Sequence, residues 1–522
     1  MDSLCLNADP ALARSIIDDM HTEMTDRYVK FRSKNVQRLS DYVKLGGEMP
    51  RTLLIIDEYQ RLFEADGELD SEFQRKFNDI LRLGRAAGTH LLLSSQEPRV
   101  AGASDSAAMD QIQLVASLYQ NESSRARSDL FENEGRRMVG ELATTGQAVI
   151  SHQSGRDKSN TRGAVARMRL GGADATVLTV IREITALTTE QADPVVLDGS
   201  DAALISDNPF VMRYASELPG AKELQEVARK SWRDGGFAQS GWTSGAYPIP
   251  LWWGREFNVH AHALSVLNRA QSQNVVCLGA NANTRNMMIA SSLAALRSMA
   301  EPSAISVHIQ DGLIDGALGG GHIRAATEHL KSNGFSAGYS QSTEDLSAFS
   351  EFIEEHFQRY SEGESLPSSI LVISEPELFP HLYCAENYWD ESEQEANRQL
   401  LRAIKEGPQK GLHTIISASG ATTLSKVIST RDLNHFNHVV TQKMKEEDAM
   451  LLFSNLKPAK IENLARHAHA CLLADMLDGF DQSRLFHSYA ASRDAHKAEQ
   501  QTSESLASEF SKLTKEPANV AR

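Results

Sequence analysis

The sequence lacks the features that mark secreted and membrane-spanning chains. Its 522 residues contain only four cysteines, Cys5, Cys277, Cys384 and Cys471, which lie far apart and form no CxxC pair. Disulfides and a zinc site are therefore not expected, and a reducing cytoplasm fits this cysteine usage best. No apolar run approaches the roughly 20 residues that cross a bilayer, so we expect no membrane insertion by this chain. The start, MDSLCLNADP, has no apolar stretch of the kind found in secretory signals.

The chain is also poor in positive charge. Its 53 Lys and Arg residues stand against 69 Asp and Glu residues, which gives a formal net charge of −16. This balance argues against a protein that coats nucleic acid over its whole surface, but it allows a motor that grips DNA through a few basic loops. A hydrophobic content of 41% is typical of globular proteins, and the length predicts about three units at most.

Short apolar runs alternate with a helical pattern in the first half. TLLII (52–56) and THLLLSS (89–95) are typical of strands that are buried on both faces of a parallel sheet. A helical segment, 71–87, lies between them, and QLVASLY (113–119) and GQAVISH (146–152) follow as further strands. Alternation of this kind predicts an α/β fold with a doubly wound parallel sheet.

An acidic pair, Asp57-Glu58, comes directly after the first of these runs. Four apolar residues followed by Asp-Glu form the Walker B pattern of nucleotide-hydrolysing enzymes. In that pattern Asp57 holds the hydration shell of a Mg²⁺ ion, and Glu58 orients and polarises the attacking water. The alternative is an acidic pair that merely ends a strand at the surface.

The segments that follow this pair carry a family resemblance. LGRAAGTHLLLSSQ (83–96), NESSRARSDLF (121–131) and TGQAVIS (145–151), in this order, resemble the C-terminal portion of FtsK/SpoIIIE/EccC-type P-loop motor ATPases of the HerA/FtsK superfamily. The resemblance implies tandem RecA-like domains that use ATP and Mg²⁺. It also implies that Gln96 lies beside Asp57-Glu58 and senses the γ-phosphate. Arg85 is a candidate arginine finger toward a neighbouring subunit, or else an ordinary arginine on a helix surface.

The resemblance further implies a function. We expect the C-terminal part of an ATP-driven translocase that assembles as a homo-oligomeric ring, a hexamer, on double-stranded DNA. One alternative is an EccC-like motor of type VII secretion, which moves protein. Another is a non-catalytic scaffold that uses its domains only for assembly.

The second half repeats the order of the first, which indicates an internal duplication. The repeated runs, matched in order to those of the first half, are SSILVIS (368–374), GLHTIISASG (411–420), HVVTQKMKEEDAMLLF (438–453) and HACLLAD (469–475). A further buried run, NVVCLG (274–279), precedes them and ends where a phosphate-binding loop is expected.

This second copy is degenerate at its functional positions. GANANTRN keeps Gly279 of the pattern G-x-x-x-x-G-K-[ST], but Thr284, Arg285 and Asn286 replace the second glycine, the lysine and the hydroxyl residue. Ser374 stands where the magnesium-binding aspartate is expected. We therefore expect this copy to bind nucleotide weakly or not at all, and to serve as an interaction or regulatory module.

The first copy lacks a phosphate-binding loop altogether. Gly279 and Ser374 are 95 residues apart, whereas only 56 residues precede Asp57, and G-x-x-x-x-G-K-[ST] occurs nowhere in the chain. Either the sequence is a truncated gene product, or a separate chain carries the missing loop. The predicted organisation has four parts. They are a partial ATPase domain (1–170), a connector (171–255), a degenerate second ATPase domain (256–490) and a polar tail (491–522).

Overall fold

The computed structural model divides into two units, Met1–Gly199 and Ser200–Arg522. It describes residues 3–6, 10–59, 61–64, 71–95, 111–119, 130–166, 176–187, 195–198, 202–214, 249–256, 262–298, 301–314, 316–364, 366–384, 395–442, 448, 470–475, 484–492 and 502–514. Within these ranges, no helix is both long and apolar enough to cross a membrane.

The first unit contains seven strands and six helices among its described residues. The strands are β1 (Ser3–Leu6), β2 (Thr52–Ile56), β3 (Thr89–Leu93), β4 (Val115–Leu118), β5 (Gln147–Ser151), β6 (Asn160–Ala164) and β7 (Val195–Asp198). The helices are α1 (Pro10–Ser33), α2 (Leu39–Lys44), α3 (Arg61–Glu64), α4 (Ser71–Ala87), α5 (Asn133–Gly140) and α6 (Thr176–Leu187).

These strands form three separate sheets in the described part of the unit. β2 and β3 are parallel neighbours, as predicted, and β1 pairs in parallel with β7. β4, β5 and β6 pair antiparallel, so the prediction of an all-parallel sheet was wrong for these strands. The connection between β5 and β6 is too short for the crossover that parallel neighbours need.

The main core of the first unit lies on one side of β2–β3. Phe31 of α1 and Phe77 of α4 are fully buried there, and the β2 side chains Leu54 and Ile56 pack against this core. Burial alternates along β2, and Leu53 and Ile55 point away from the core into solvent. The prediction that β2 is buried on both faces was therefore wrong, because described residues cover only one face.

The second unit is built around one large sheet. Its strands are β8 (Ala203–Leu204), β9 (Ile249–Glu256), β10 (His262–Leu267), β11 (Val275–Leu278), β12 (Ile305–Asp311), β13 (Ser336–Ser340), β14 (Ser368–Ser374), β15 (Leu412–Ala418), β16 (His438–Thr441), β17 (Ala470–Asp475) and β18 (Arg484–Ala490). Its helices are α7 (Pro209–Arg213), α8 (Ala282–Ala295), α9 (His322–Ser332), α10 (Ser347–Ser361), α11 (Glu395–Lys410), α12 (Ala421–Leu424) and α13 (Ser503–Phe510).

The strand order of this sheet is β10-β9-β18-β17-β16-β11-β15-β14-β12-β13, with β8 paired to β18. β11, β15 and β14 are adjacent and parallel. Each of these three strands is buried along its whole length, as their continuous apolar composition predicted. Helices α8 and α9 pack on one face of the sheet, and α10 and α11 pack on the other.

The two units share strand pairing as well as sequence order. In β2–β3, Leu53 pairs with His90, and in β14–β15, Ile370 pairs with His413. These are the partners that the sequence match of 88–96 to 411–419 requires. The parallel strand pairs β2–β3 and β14–β15 therefore have the same pairing register.

The antiparallel strands repeat in the same way. Val115 pairs with Ser151 in β4–β5, and Val439 pairs with Ala474 in β16–β17. Both pairs agree with the matched segments 114–131 and 438–453. Each unit then continues into a third antiparallel strand, β6 or β18.

Two boundaries differ from the predicted organisation. The division between units falls at 199/200, inside the predicted connector, and β9 of that connector is a strand of the second sheet. The predicted polar tail contains α13, whose residues Leu506 and Phe510 are fully buried. Leu506 and Phe510 are four residues apart, so even a short, mostly polar helix presents a narrow apolar stripe to the core.

Candidate functional site

The acidic pair of the first unit lies at the carboxyl end of β2, beside the end of β3. The Ser94 hydroxyl donates a hydrogen bond to Asp57 Oδ1, and the Glu58 backbone N–H donates to the same oxygen over 3.1 Å. Asp57 itself is exposed. The carboxylate is thus oriented by two donors while it faces solvent, which suits a ligand for hydrated Mg²⁺.

Glu58 has an unusual backbone conformation that recurs in the second unit. Its φ is 51°, in the left-handed region, and its counterpart Glu375 has a φ of 52°. This conformation costs a non-glycine residue free energy and is concentrated at functional sites. Both units therefore end this strand with the same strained turn.

Two other site residues were predicted for the first unit, Gln96 and Arg85. Gln96 lies outside the described residues. Arg85 is exposed in the last turn of α4, just before the start of β3. Asp57 lies beside the end of β3, so the two side chains are at opposite ends of this strand. Arg85 therefore does not belong to the Asp57 site of its own chain.

In the second unit, Arg285 fills the centre of the degenerate site. Only 1% of its side chain is exposed, and it forms an ion pair with Glu375, whose side chain is 7% exposed. Its guanidinium also donates to the carbonyl of Gly279 and, over 3.1 Å, to the hydroxyl of Ser417. A phosphate-binding lysine would point outward to an anion. This arginine instead binds its own protein.

The loop after β11 is closed by its own hydrogen bonds. The Asn281 N–H donates to Gln442 Oε1 over 3.1 Å, and the Gln442 amide donates back to the Asn281 carbonyl over 2.9 Å. The Thr284 N–H donates to Asn281 Oδ1 over 3.2 Å. Backbone N–H groups of this kind hold phosphate in nucleotide-binding loops. Here side chains of the protein take that place.

In the second unit, Ser374 and Asn286 stand at the positions where magnesium-binding residues are expected, and these two neutral side chains are hydrogen-bonded to each other. The Ser374 hydroxyl donates to Asn286 Oδ1 over 3.2 Å, and the Asn286 amide donates to the carbonyl of Gly319 over 3.2 Å. Mg²⁺ prefers carboxylate, hydroxyl and water ligands. With no carboxylate at 374 and an amide at 286, these residues do not fit a hydrated magnesium ion.

The electrostatics of this site are those of a buried ion pair. Burial raises the pKa of Glu375, with a further contribution from the nearby Glu377, and the Arg285 guanidinium counteracts that rise. ATP·Mg therefore does not fit the second unit, where an internal cation already neutralises the acid. It does fit the acidic half of a site at Asp57 and Glu58 at the carboxyl end of β2.

Sequence reasoning missed two residues of these sites, Ser94 and Gln442. Ser94 follows β3 directly, and Gln442 follows β16 directly. A polar residue straight after a buried strand was the signal that identified Asp57, and the same signal marks both of them. Gly279 has a φ of 152°, and a Cβ there would lie 2.6 Å from the Gln442 side chain. The surviving glycine is thus required by the closed loop.

Comparisons with known proteins agree with this architecture. No protein-family model matches the chain. An alignment of 98 residues, 17% of this chain, is 36% identical to the ESX secretion system protein EccC of Thermomonospora curvata and covers 7% of it. The cytoplasmic domain of the type VII secretion ATPase EccC from the same organism matches 96% of this chain with a TM-score of 0.58 and 17% identity. This chain spans about half of that domain, 55% of its length.

Two further solved structures share the fold. T. curvata EccC (ATPases 2 and 3) in complex with a signal sequence peptide matches 92% of this chain, with a TM-score of 0.50 and 15% identity; the match covers 77% of that chain. EssC (ATPases 2 and 3) from Geobacillus thermodenitrificans matches 92%, with a TM-score of 0.50 and 14% identity, and the match covers 78% of it. The predicted α/β fold class, with tandem RecA-like domains, is confirmed.

Proposed function

We propose that this chain, which has the fold of the FtsK/EccC-type motor ATPases, is a module of such a motor in which the second unit is a locked, non-hydrolysing copy. One observation carries the proposal. Arg285 stands at the position of the phosphate-binding lysine and is held by Glu375 and by the carbonyl of Gly279. A unit whose anion site is closed by its own side chains is suited to assembly and to binding other polypeptides rather than to hydrolysing ATP.

The first unit contributes the acidic half of an ATPase site. Asp57 would hold Mg²⁺ through water, and Glu58 would orient the attacking water, while the metal itself would neutralise developing charge on the phosphates. Arg85, exposed at the other end of β3, would act on the nucleotide of a neighbouring subunit in a ring. The phosphate-binding loop of this site would come from a polypeptide segment outside these 522 residues.

For the substrate, we propose a protein rather than double-stranded DNA. The local identity to EccC, and the fold shared with an EccC structure that holds a signal sequence peptide, support export of protein. Double-stranded DNA is the second candidate, favoured by the order of motifs shared with FtsK-type translocases. The net charge of −16 weighs against DNA, because phosphate backbones bind clusters of Lys and Arg.

Binding measurements distinguish the two substrates. Fluorescent signal sequence peptides of the kind held by the T. curvata EccC structure would be titrated with the intact chain. A fluorescent DNA duplex would be titrated in parallel at low and physiological salt. We expect saturable binding of at least one peptide and loss of duplex binding at physiological salt. Salt-resistant binding of the duplex, with no peptide bound, would support the DNA motor instead.

A phosphate-release assay tests the role of the first unit. The intact chain and an Asp57→Asn variant should release phosphate from ATP·Mg at the same background rate, because the pattern G-x-x-x-x-G-K-[ST] occurs nowhere in the chain. A rate above background that disappears in Asp57→Asn would show that the first unit hydrolyses ATP without a further segment, contrary to the proposal.

A further inference from the structure

Strands of two sheets in the first unit, β2–β3 and β4–β5–β6, carry apolar side chains that are exposed. We call this the open face and define it by four residues. They are Leu53 (58% exposed) and Ile55 (63%) of β2, Leu92 (50%) of β3 and Ile150 (42%) of β5. Patches of large apolar residues are uncommon on soluble surfaces and mark interaction sites.

The duplication shows what these positions do when the sheet is complete. The shared pairing register gives each residue of the open face a counterpart in the second unit. These counterparts are Ile370, Val372, Ile415 and Leu473. All four are fully buried in one core. Residues of the same type, on the same strands, are thus covered in one unit and exposed in the other.

Two elements provide that cover in the second unit. β11 lies between β15 and β16 and pairs in parallel with both, with Val275 opposite Ile415 on one side and His438 on the other. Helix α8 follows β11, and it contributes Met288 and Leu293 to the core that buries the four counterparts. In the described part of the first unit, no strand joins β3 to β4, and the two sheets are separate.

We propose that the open face is a docking surface for a polypeptide partner of strand–loop–helix form. The partner adds one parallel strand between β3 and β4, as β11 does between β15 and β16, and lays an apolar helix over Leu53, Ile55 and Leu92. A second copy of this chain fits less well, because the described part of its first unit would present the same two sheets and no strand for the position between them.

The geometry also places the loop of this partner. In β11 the loop follows the carboxyl end of the strand, the edge at which Ser374 and Glu375 lie. A strand added beside β3 in the same direction brings its loop to Asp57 and Glu58. That this loop binds phosphate rests on the proposed function. The docking itself does not.

A peptide from this chain serves as the probe. Residues 274–295, NVVCLGANANTRNMMIASSLAA, contain β11, its loop and α8. The fluorescein-labelled peptide is titrated with the intact chain, and binding is followed by fluorescence anisotropy without nucleotide. We expect saturable binding that weakens by about tenfold or more in Ile55→Glu and in Leu92→Glu. A peptide with Val276→Pro should not bind, since proline cannot pair within a sheet.

Leu83→Glu is the matched control. Leu83 is an exposed apolar residue of α4, outside the open face, and its counterpart by the same match is Glu406. This variant should bind the peptide as the unaltered chain does. Because Ile55 and Leu92 are already exposed, their glutamate variants should keep the fold, which circular dichroism checks.

Three results would overturn the proposal. The first is the absence of saturable peptide binding, and the second is binding that Ile55→Glu and Leu92→Glu leave unchanged. The third is a concentration-dependent dimer of the intact chain that Leu92→Glu abolishes, since this would assign the open face to a second copy. None of these readouts involves ATP or a transported substrate, so they are separate from tests of the proposed function.

Discussion

Replacing Arg285 by alanine should destabilise the second unit strongly. The side chain is 1% exposed and neutralises Glu375, which is 7% exposed. Removing one partner of a buried ion pair leaves an uncompensated charge and costs about 3–5 kcal/mol. The Ser417 hydroxyl and the Gly279 carbonyl also lose their donor. We therefore expect Arg285→Ala to lower the free energy of unfolding by about 3–5 kcal/mol at pH 8.

Tryptophan fluorescence during urea denaturation reports this loss selectively. All five tryptophans lie after residue 200, and Trp252 and Trp253 are buried in the core of the second unit. Arg398→Ala is the matched control, because Arg398 pairs with Glu395 over 2.9 Å on an exposed helix surface. An exposed pair of this kind contributes about 0–1 kcal/mol, so the control should unfold almost as the unaltered chain does.

The pH dependence of Arg285→Ala tests the reason for the loss. Without the guanidinium, the pKa of Glu375 rises further, and the folded state holds a proton that the unfolded state releases. The destabilisation should therefore be smaller at pH 5 than at pH 8. A loss at pH 8 no larger than that of Arg398→Ala, or a loss independent of pH, would refute the buried ion pair.

Three further predictions concern the second unit. Burial lowers the pKa of His413 and of His438 to about 4. The contribution of these two histidines to stability should therefore be constant above about pH 6.5 and fall from there to pH 4, so that in urea titrations His438→Gln loses less stability over this range than the unaltered chain. Phe510→Ala should lower the free energy of unfolding by about 3–5 kcal/mol, since this helix residue is fully buried; a loss below about 1 kcal/mol would contradict its packing. Gln442→Ala should speed hydrogen exchange at the Asn281 amide by about tenfold, and unchanged exchange would show that the loop is not held by this side chain.

The parallel core was predictable from local composition. SSILVIS and HTIISA are continuous apolar runs, and the order of the matched segments identifies which of these strands are neighbours in the sheet. Ser374 and Arg285 stand out as departures from a fixed spacing pattern. The buried strands and the degenerate site could be predicted because each is indicated by the few residues around it in the sequence.

Other features depend on contacts between distant segments. Leu53 and Ile55 have the composition of a doubly buried strand, but burial of a second face requires a cover that the described residues do not supply. The direction of β4 and β5 is set by pairing across the sheet, which apolar runs do not encode. Gln442 closes a loop that lies 161 residues earlier in the chain, and no local pattern connects the two.

The central claim is that the second unit is closed to nucleotide by its own side chains. Calorimetric titration of the intact chain with ATP·Mg tests it most directly, beside a variant that restores the pattern: Thr284→Gly, Arg285→Lys, Asn286→Ser, Ser374→Asp and Gln442→Ala. We expect no measurable heat of binding for the intact chain and saturable binding for the restored variant. Micromolar affinity of the intact chain, lost when the 279–286 loop is altered, would contradict the claim.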